Sequence, residues 1–209
     1  MHRRPLLRLL ERYAAAHPEE RSCVGRIRGL VESDPDCFLR RCGPGHITAS
    51  AWILSPDRRR FLLTHHRKLG RWLQLGGHAD GDADVLNVAL REAREESGMT
   101  RFALVSPAWA GGGEVPMPID VDVHWIPARP GEPAHEHHDI RFLLVAGPDQ
   151  LLRVSYESHD LAWLEVERLA DLEADESLLR LARKAHRWVG KSSIPTGEVA
   201  GRLQGNDGA

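Results

Sequence analysis

The chain reads as an α/β fold: a mixed β-sheet with helices packed against it, preceded by a helical extension. Three observations predict this. Residues 85–97 carry apolar side chains at helical spacing, between an Asp-rich loop and a glycine. Alternating, strand-like runs begin at His46 and recur after Gly98. Two short amphipathic stretches precede all of these, within residues 5–34.

At 209 residues, 42% hydrophobic and 28% charged, the chain can bury a substantial core. A net charge of −2 makes no electrostatic case for nucleic acid or an anionic membrane. No apolar run approaches a membrane span, and the amino terminus lacks a signal-peptide core. Cys23, Cys37 and Cys42 are an odd number, read most simply as reduced thiols in a cytoplasm.

In chain order, Pro5 suits a first helical turn, and Leu6, Leu9, Leu10, Tyr13 and Ala14 form an apolar stripe. His17-Pro18 breaks that helix. Glu19 and Glu20 open a second one, which carries Val24, Ile27, Leu30 and Val31 and stops at Asp34-Pro35. A helical hairpin packed on the main domain follows from this. A small DNA-binding unit is the alternative, but stripes this short more often mean packing. Cys37, Cys42 and His46, with Cys23 as a fourth ligand, have spacings a zinc site could use. The two-residue knuckle spacing of structural zinc sites is absent, which disfavours that reading.

From His46 the pattern is β. Ile47, Ala49, Ala51 and Ile53 alternate with Thr48, Ser50 and Trp52, as in a half-buried strand. Ser55-Pro56-Asp57 makes a turn, and residues 60–66 form the partner strand. Further strands are predicted at 102–105, 121–126 and 140–146, separated by the Gly/Pro-rich loops AGGGEVPMP and PARPGEPAH. A last helix spans 176–189, and the tail from Gly190 is too polar and Gly-rich to pack. The predicted organisation is a helical extension over 1–44, a main domain over 45–189 and a flexible tail over 190–209.

Two stretches carry chemistry. In GGHADGDADVLNVALREAREESGM, residues 76–99, either Asp82 or Asp84 can cap the helix, and Gly98 can end it. Glu92, Glu95 and Glu96 then stand at i, i+3 and i+4 on one face. Three like charges so close call for a neutralising cation, and oxygen ligands suit a hard one such as Mg²⁺. A solvated helical face paired through Arg91 and Arg94 is the bland alternative. The second stretch is His135, His137, Asp139 and Arg141, spaced by two and so on one strand face. Such a face could bind a metal, hold phosphate when protonated, serve acid–base roles, or simply be a polar surface. His78, next to the glycine pair, could converge on it. Between the two stretches, His65, His66, Arg67, Lys68 and Arg71 lead into the glycines.

The first stretch resembles the signature of the Nudix (MutT-like) hydrolase family. That signature runs Gly, five residues, Glu, seven residues, then Arg-Glu-apolar-x-Glu-Glu-x-Gly-apolar. Gly77, Arg91, Glu92, Ala93, Glu95, Glu96, Gly98 and Met99 fall on it. Ala83 departs, because the family has Glu there, and Leu75 stands where relatives usually carry Pro. The resemblance implies a Nudix-type α/β/α sandwich over roughly Gly45 to Val189, cleaving the diphosphate of a nucleoside diphosphate derivative. It implies Glu95, Glu96 and the Gly76 carbonyl as metal ligands, Glu92 as a further ligand or base, and Mg²⁺ with Mn²⁺ as substitute. Arg91 would tie the helix to its loop, through Asp82 or Asp84 in place of the missing Glu. Arg67, Lys68, His78, His135, His137 and Asp139 become candidates for the substrate phosphates. Glu136, Asp139 and Glu157 are candidates for a late carboxylate, and Trp163 for packing. The implied partner is a small phosphoanhydride, and the family also admits a homodimer. A nucleotide-binding module without turnover, kept open by Ala83, and an isomerase on the same fold are the rivals.

Overall fold

The computed structural model describes residues 2–106, 116–156, 158–172, 174–190 and 196–198. Helices α1 (Arg4–Ala16) and α2 (Arg21–Ser33) form the expected hairpin. Pro5 sits in the first turn of α1, and the helix buries Leu6, Leu9, Leu10 and Tyr13. Val24, Ile27, Leu30 and Val31 are the buried stripe of α2. Both stripes enter the same apolar cluster as the sheet, so the hairpin is part of the main core.

The strands are β1 (Gly45–Leu54), β2 (Arg60–His66), β3 (Arg71–Leu73), β4 (Leu75–His78), β5 (Phe102–Val105), β6 (Asp120–Ile126), β7 (His135–Ala146), β8 (Ser158–Glu165) and β9 (Thr196–Glu198). The central pair, β1 and β7, is parallel, with Gly45 opposite Glu136 and Leu54 opposite Val145. One edge of β1 is shared, its carboxyl half pairing with β2 and its amino half with β4. Around β7, β6 covers the amino half and β5 the carboxyl half. The strands meet as a mixed sheet, with α3 (Val85–Ser97) and α4 (Glu176–Gly190) packed against it. No helix among the described residues is long and apolar enough to cross a membrane.

Four expectations change. β1 is buried along its whole length, not half-buried, because a central parallel strand has helices over both faces. β7 starts at His135, five residues before the predicted onset, because β6 gives its polar end a partner. β8 was not foreseen; it pairs with β2, and within it Trp163 packs against apolar side chains as expected. The tail is not loose throughout, since Thr196–Glu198 pairs with β5.

Candidate functional site

Helix α3 is positioned from both ends. Asp84 is its N-cap, accepting from the Leu86 and Asn87 N–H groups at 3.1 Å. Gly98 closes it at φ 72°, in the left-handed region, with its N–H on Arg94 O. Between them Val88, Ala89, Leu90 and Ala93 are buried, which fixes the rotation of the helix and so the aim of its glutamates. Leu75 is fully buried in the cluster that holds Leu90 and Ala93, an apolar contact at the position where Pro was expected.

The glycine pair meets this helix directly. A Cβ on Gly77 would lie 2.6 Å from Glu92 Cδ, so only glycine lets that carboxylate sit against the strand. The Gly76 N–H donates to Glu96 Oε1 at 3.1 Å, and Glu96 is only 8% exposed. Arg91 donates through Nη2 to the His78 carbonyl at 2.7 Å and to Glu92 Oε1 at 2.9 Å. It therefore ties helix to loop, but through Glu92 and backbone and not through the two aspartates. Asp84 caps the helix, and Asp82 takes the Asn87 amide. Ala83 packs against the core. Glu95 is exposed on the same helical face. By chemistry an all-oxygen donor set of Glu92, Glu95, Glu96 and glycine backbone suits a hard divalent cation, although the three carboxylates do not come within 4.8 Å of one another as a group in this structure.

Directly paired residues show which face each group occupies. Gly77 pairs with Ala49 on the α3 side; Gly76 and His78, paired with Ser50 and Thr48, face the other way. On that opposite face lie His46, Thr48 and Ser50 of β1, beside His137, Asp139 and Arg141 of β7. His124, Asp122 and Asp120 of β6 continue the row. The predicted alternation of His135, His137, Asp139 and Arg141 holds, yet the four divide into two groups.

Asp139 and Arg141 belong to a buried polar network. Asp139 accepts from Thr48 Oγ1, Ser50 Oγ and Arg141 Nε. Arg141 also reaches Asp120, Asp122 and Ser177, and its guanidinium is pushed well above its usual range by these carboxylates despite burial. Arg180 and Lys184 of α4 close the network on Asp120, and Lys184 also bonds Tyr13 and Glu20. Burial alone would raise the Asp120 carboxyl, but Arg180, Arg141 and Lys184 outweigh it and hold it below the usual range. Asp139 is thus spent within the sheet.

The histidines gather separately. The His46 ring lies 4.9 Å from His78, 4.8 Å from His135 and 4.9 Å from His137. Burial holds His46 and His78 down to about 4 and His137 lower still, so these rings are neutral at pH 7. Holding phosphate as protonated imidazoles is therefore disfavoured for His78 and His137. The zinc reading with cysteines finds no geometric support: Cys23 points its thiol at Val121 O, and among the described residues His46 gathers with His135 and His137 and with no cysteine. Among the predicted phosphate cations, Arg67 bonds Ser158 O from the exposed β2–β3 turn, where Lys68 also lies exposed. Glu136 pairs with Arg26 of α2, and Glu157 lies outside the described residues. Sequence reasoning missed His124, Asp120 and the true company of His46; the regular polar side of β1 was the available signal.

A glycine-lined strand end against a helix bearing three glutamates, on a helix-flanked mixed sheet, defines an α/β/α sandwich with a carboxylate centre. A NUDIX domain matches residues 44–189, and the chain belongs to the Nudix family. Solved structures agree on the fold. A NUDIX-family hydrolase from Clostridium perfringens is 24% identical, with a TM-score of 0.55 over 69% of this chain and 97% of its own. An Ap4A hydrolase from C. elegans, in a binary complex, is 19% identical with a TM-score of 0.53, over 69% and 98%. The M. Smegmatis Nudix hydrolase RenU gives 15% and 0.51, over 72% and 90%. Among curated proteins, none matches the chain in sequence.

Proposed function

We propose that the protein hydrolyses a diphosphate linkage in a nucleoside diphosphate derivative, with Mg²⁺ held by Glu92, Glu95, Glu96 and the Gly76 carbonyl. The observation that carries this reading is the seating of Glu92 and Glu96 against the two glycines, with Arg91 bracing the first of them. Such a cation supplies charge neutralisation to a polyanion that otherwise repels attacking water. The protein's own part is positional. Arg91 fixes the Glu92 carboxylate and the β4 backbone in one piece. The Gly76 N–H orients buried Glu96, and exposed Glu95 is left to meet solvent or substrate. Glu92 serves in this reading as a further ligand or as the base.

Arg91 finds its partners in Glu92 and His78 O without a carboxylate at 83, so Ala83 does not by itself argue for a silent binding module. The test is a panel of dinucleotides, nucleotide sugars and nucleoside triphosphates with Mg²⁺ or Mn²⁺. Glu96→Gln on the best substrate at limiting Mg²⁺ should cut both metal affinity and rate while the fold persists. A parental rate from Glu96→Gln rejects the assignment, and an inert parent on the whole panel favours the binding module.

A further inference from the structure

One group of side chains lies outside the carboxylate centre, although it is buried beside the same strand. β1 and β7 place His46 directly opposite His137, and the alternation of β7 adds His135 to the same face. Antiparallel pairing with β4 brings in His78 from opposite Thr48. Their ring nitrogens face one another with little else to bond. Both nitrogens of His46, and Nε2 of His78, His135 and His137, are buried without a hydrogen-bond partner. His46 is 2% exposed and His135 4%. A buried imidazole nitrogen without a partner is costly, so a cluster of them calls for a common ligand.

We propose that His46, His135 and His137, with His78 as the fourth donor, form a site for a transition-metal ion of the Zn²⁺ class. It is separate from the carboxylate centre and lies on the opposite face of the sheet. One donor atom from each of His46, His135 and His137 falls within 4.8 Å of the others. In a tetrahedral zinc site with bonds of about 2.0–2.1 Å the donors stand about 3.4 Å apart, so side-chain rotation closes the difference. The tautomer of His135 is already set. Its Nδ1 lies 2.8 Å from Pro133 O, which can only accept, so Nδ1 carries the proton and Nε2 keeps its lone pair for a metal. Glu132 Oε1, 3.8 Å from that Nε2, adds negative charge at the rim. His124, 5.3 Å from the His137 ring, is held on Asp122 and forms a wall.

The donor chemistry selects the ion. Neutral imidazoles suit Zn²⁺, Co²⁺, Ni²⁺ or Cu²⁺, whereas Mg²⁺ demands oxygen, so the two centres sort their metals by ligand type. An ion here would pin β4, which carries the glycines, to β1 and β7.

The experiment is a titration of the metal-stripped, full-length protein with Co²⁺ alone, read by visible absorption, and with Zn²⁺ alone, read by thermal unfolding and imidazole NMR. One Co²⁺ should give the intense absorption of a four- or five-coordinate site. That absorption should survive Glu96→Gln and disappear in His137→Gln and in His78→Gln, the latter at a less buried position that tolerates change. In the parent protein, Zn²⁺ should raise the unfolding temperature and shift the resonances of His46, His135 and His137, a readout that needs no variant. The proposal is overturned if neither ion perturbs these imidazoles, which would leave a cluster solvated by water. It is equally overturned if the Co²⁺ absorption vanishes in Glu96→Gln but persists in both histidine variants. Inorganic phosphate shifting the imidazoles where Zn²⁺ does not would mark an anion site, and would also overturn it.

Discussion

Adding one methyl group at Gly77 tests the architecture of the carboxylate centre with minimal disturbance. In Gly77→Ala the new Cβ would lie 2.6 Å from Glu92 Cδ and Oε2 and 2.9 Å from Oε1. Carbon atoms pack comfortably at about 3.5 Å, so the carboxylate must withdraw by roughly 0.9 Å. The atoms in the way are the tip of a flexible side chain, so the backbone has no reason to move. Stability should change little: a modest gain of about 0.4–1 kcal/mol from a stiffer unfolded chain offsets the lost Arg91–Glu92 contact. The reaction should suffer far more, because a displacement near 1 Å at a catalytic group costs on the order of 100-fold, about 2.7 kcal/mol of barrier. Initial rates against substrate and Mg²⁺, alongside urea unfolding, separate the two effects. A variant that unfolds at the parental urea midpoint and turns over at the parental rate would refute the claim that Gly77 is small for the sake of Glu92. One that fails to fold would show that Gly77 serves packing.

Three further outcomes follow from the same contacts. Ala83→Glu should change the rate by roughly tenfold or less, about 1.4 kcal/mol, since Arg91 is already satisfied; an inert parent revived by this change would instead mark a degenerate binding module. Asp120→Asn leaves Arg141, Arg180 and Lys184 short of a fully buried carboxylate, and chemical denaturation should register a loss of about 3–5 kcal/mol. The folded-state pKa of Asp120 and Asp122 is depressed, so their stabilisation is present above about pH 4 and fades as pH falls below it; Asp120→Asn should flatten that acid limb. Tyr13→Phe removes the hydroxyl that donates to Glu20 and accepts from Lys184, and thermal unfolding should show a cost of about 1–3 kcal/mol; no change would mean the hydroxyl adds nothing to the Lys184–Glu20 and Arg26–Glu136 pairs that also tie the hairpin to the domain.

What the sequence revealed and what it hid follow from the reach of local pattern. REAREESG is legible because the helical period alone puts Glu92, Glu95 and Glu96 on one side, and the glycine pair lies close by in the chain. The shared face of His135, His137, Asp139 and Arg141 is legible for the same reason, at period two. The division of that face is not. Asp139 leaves the histidines because Thr48 and Ser50, about ninety residues earlier, take its oxygens. Proximity in sequence groups His46 with Cys37 and Cys42, whereas the β1–β7 register sends it to His137. Depressed imidazole basicity is hidden too, being a property of the helices and strands that exclude water. Arg91 shows the limit of carrying over a motif, since its partners are a carboxylate and a carbonyl that the loop geometry supplies, not the aspartates nearest the missing Glu.

The parallel pairing of β1 with β7 also sets a schedule for the newborn chain. β1 is complete at Leu54, but the strand it must lie beside begins at His135. At about 5–20 residues per second on the ribosome, the first strand waits several seconds for its neighbour. During that interval β2 and β4 can cover one flank of β1 and α1–α2 can close on themselves, while the other flank keeps its amides and carbonyls unpaired. Contacts between residues so far apart in sequence form late and slow the search for the native state. The histidine cluster and the Asp139–Arg141 network both depend on that late zippering, so the proposed ion site cannot assemble until synthesis has passed residue 137. The carboxylate helix and its glycines, by contrast, have emerged long before.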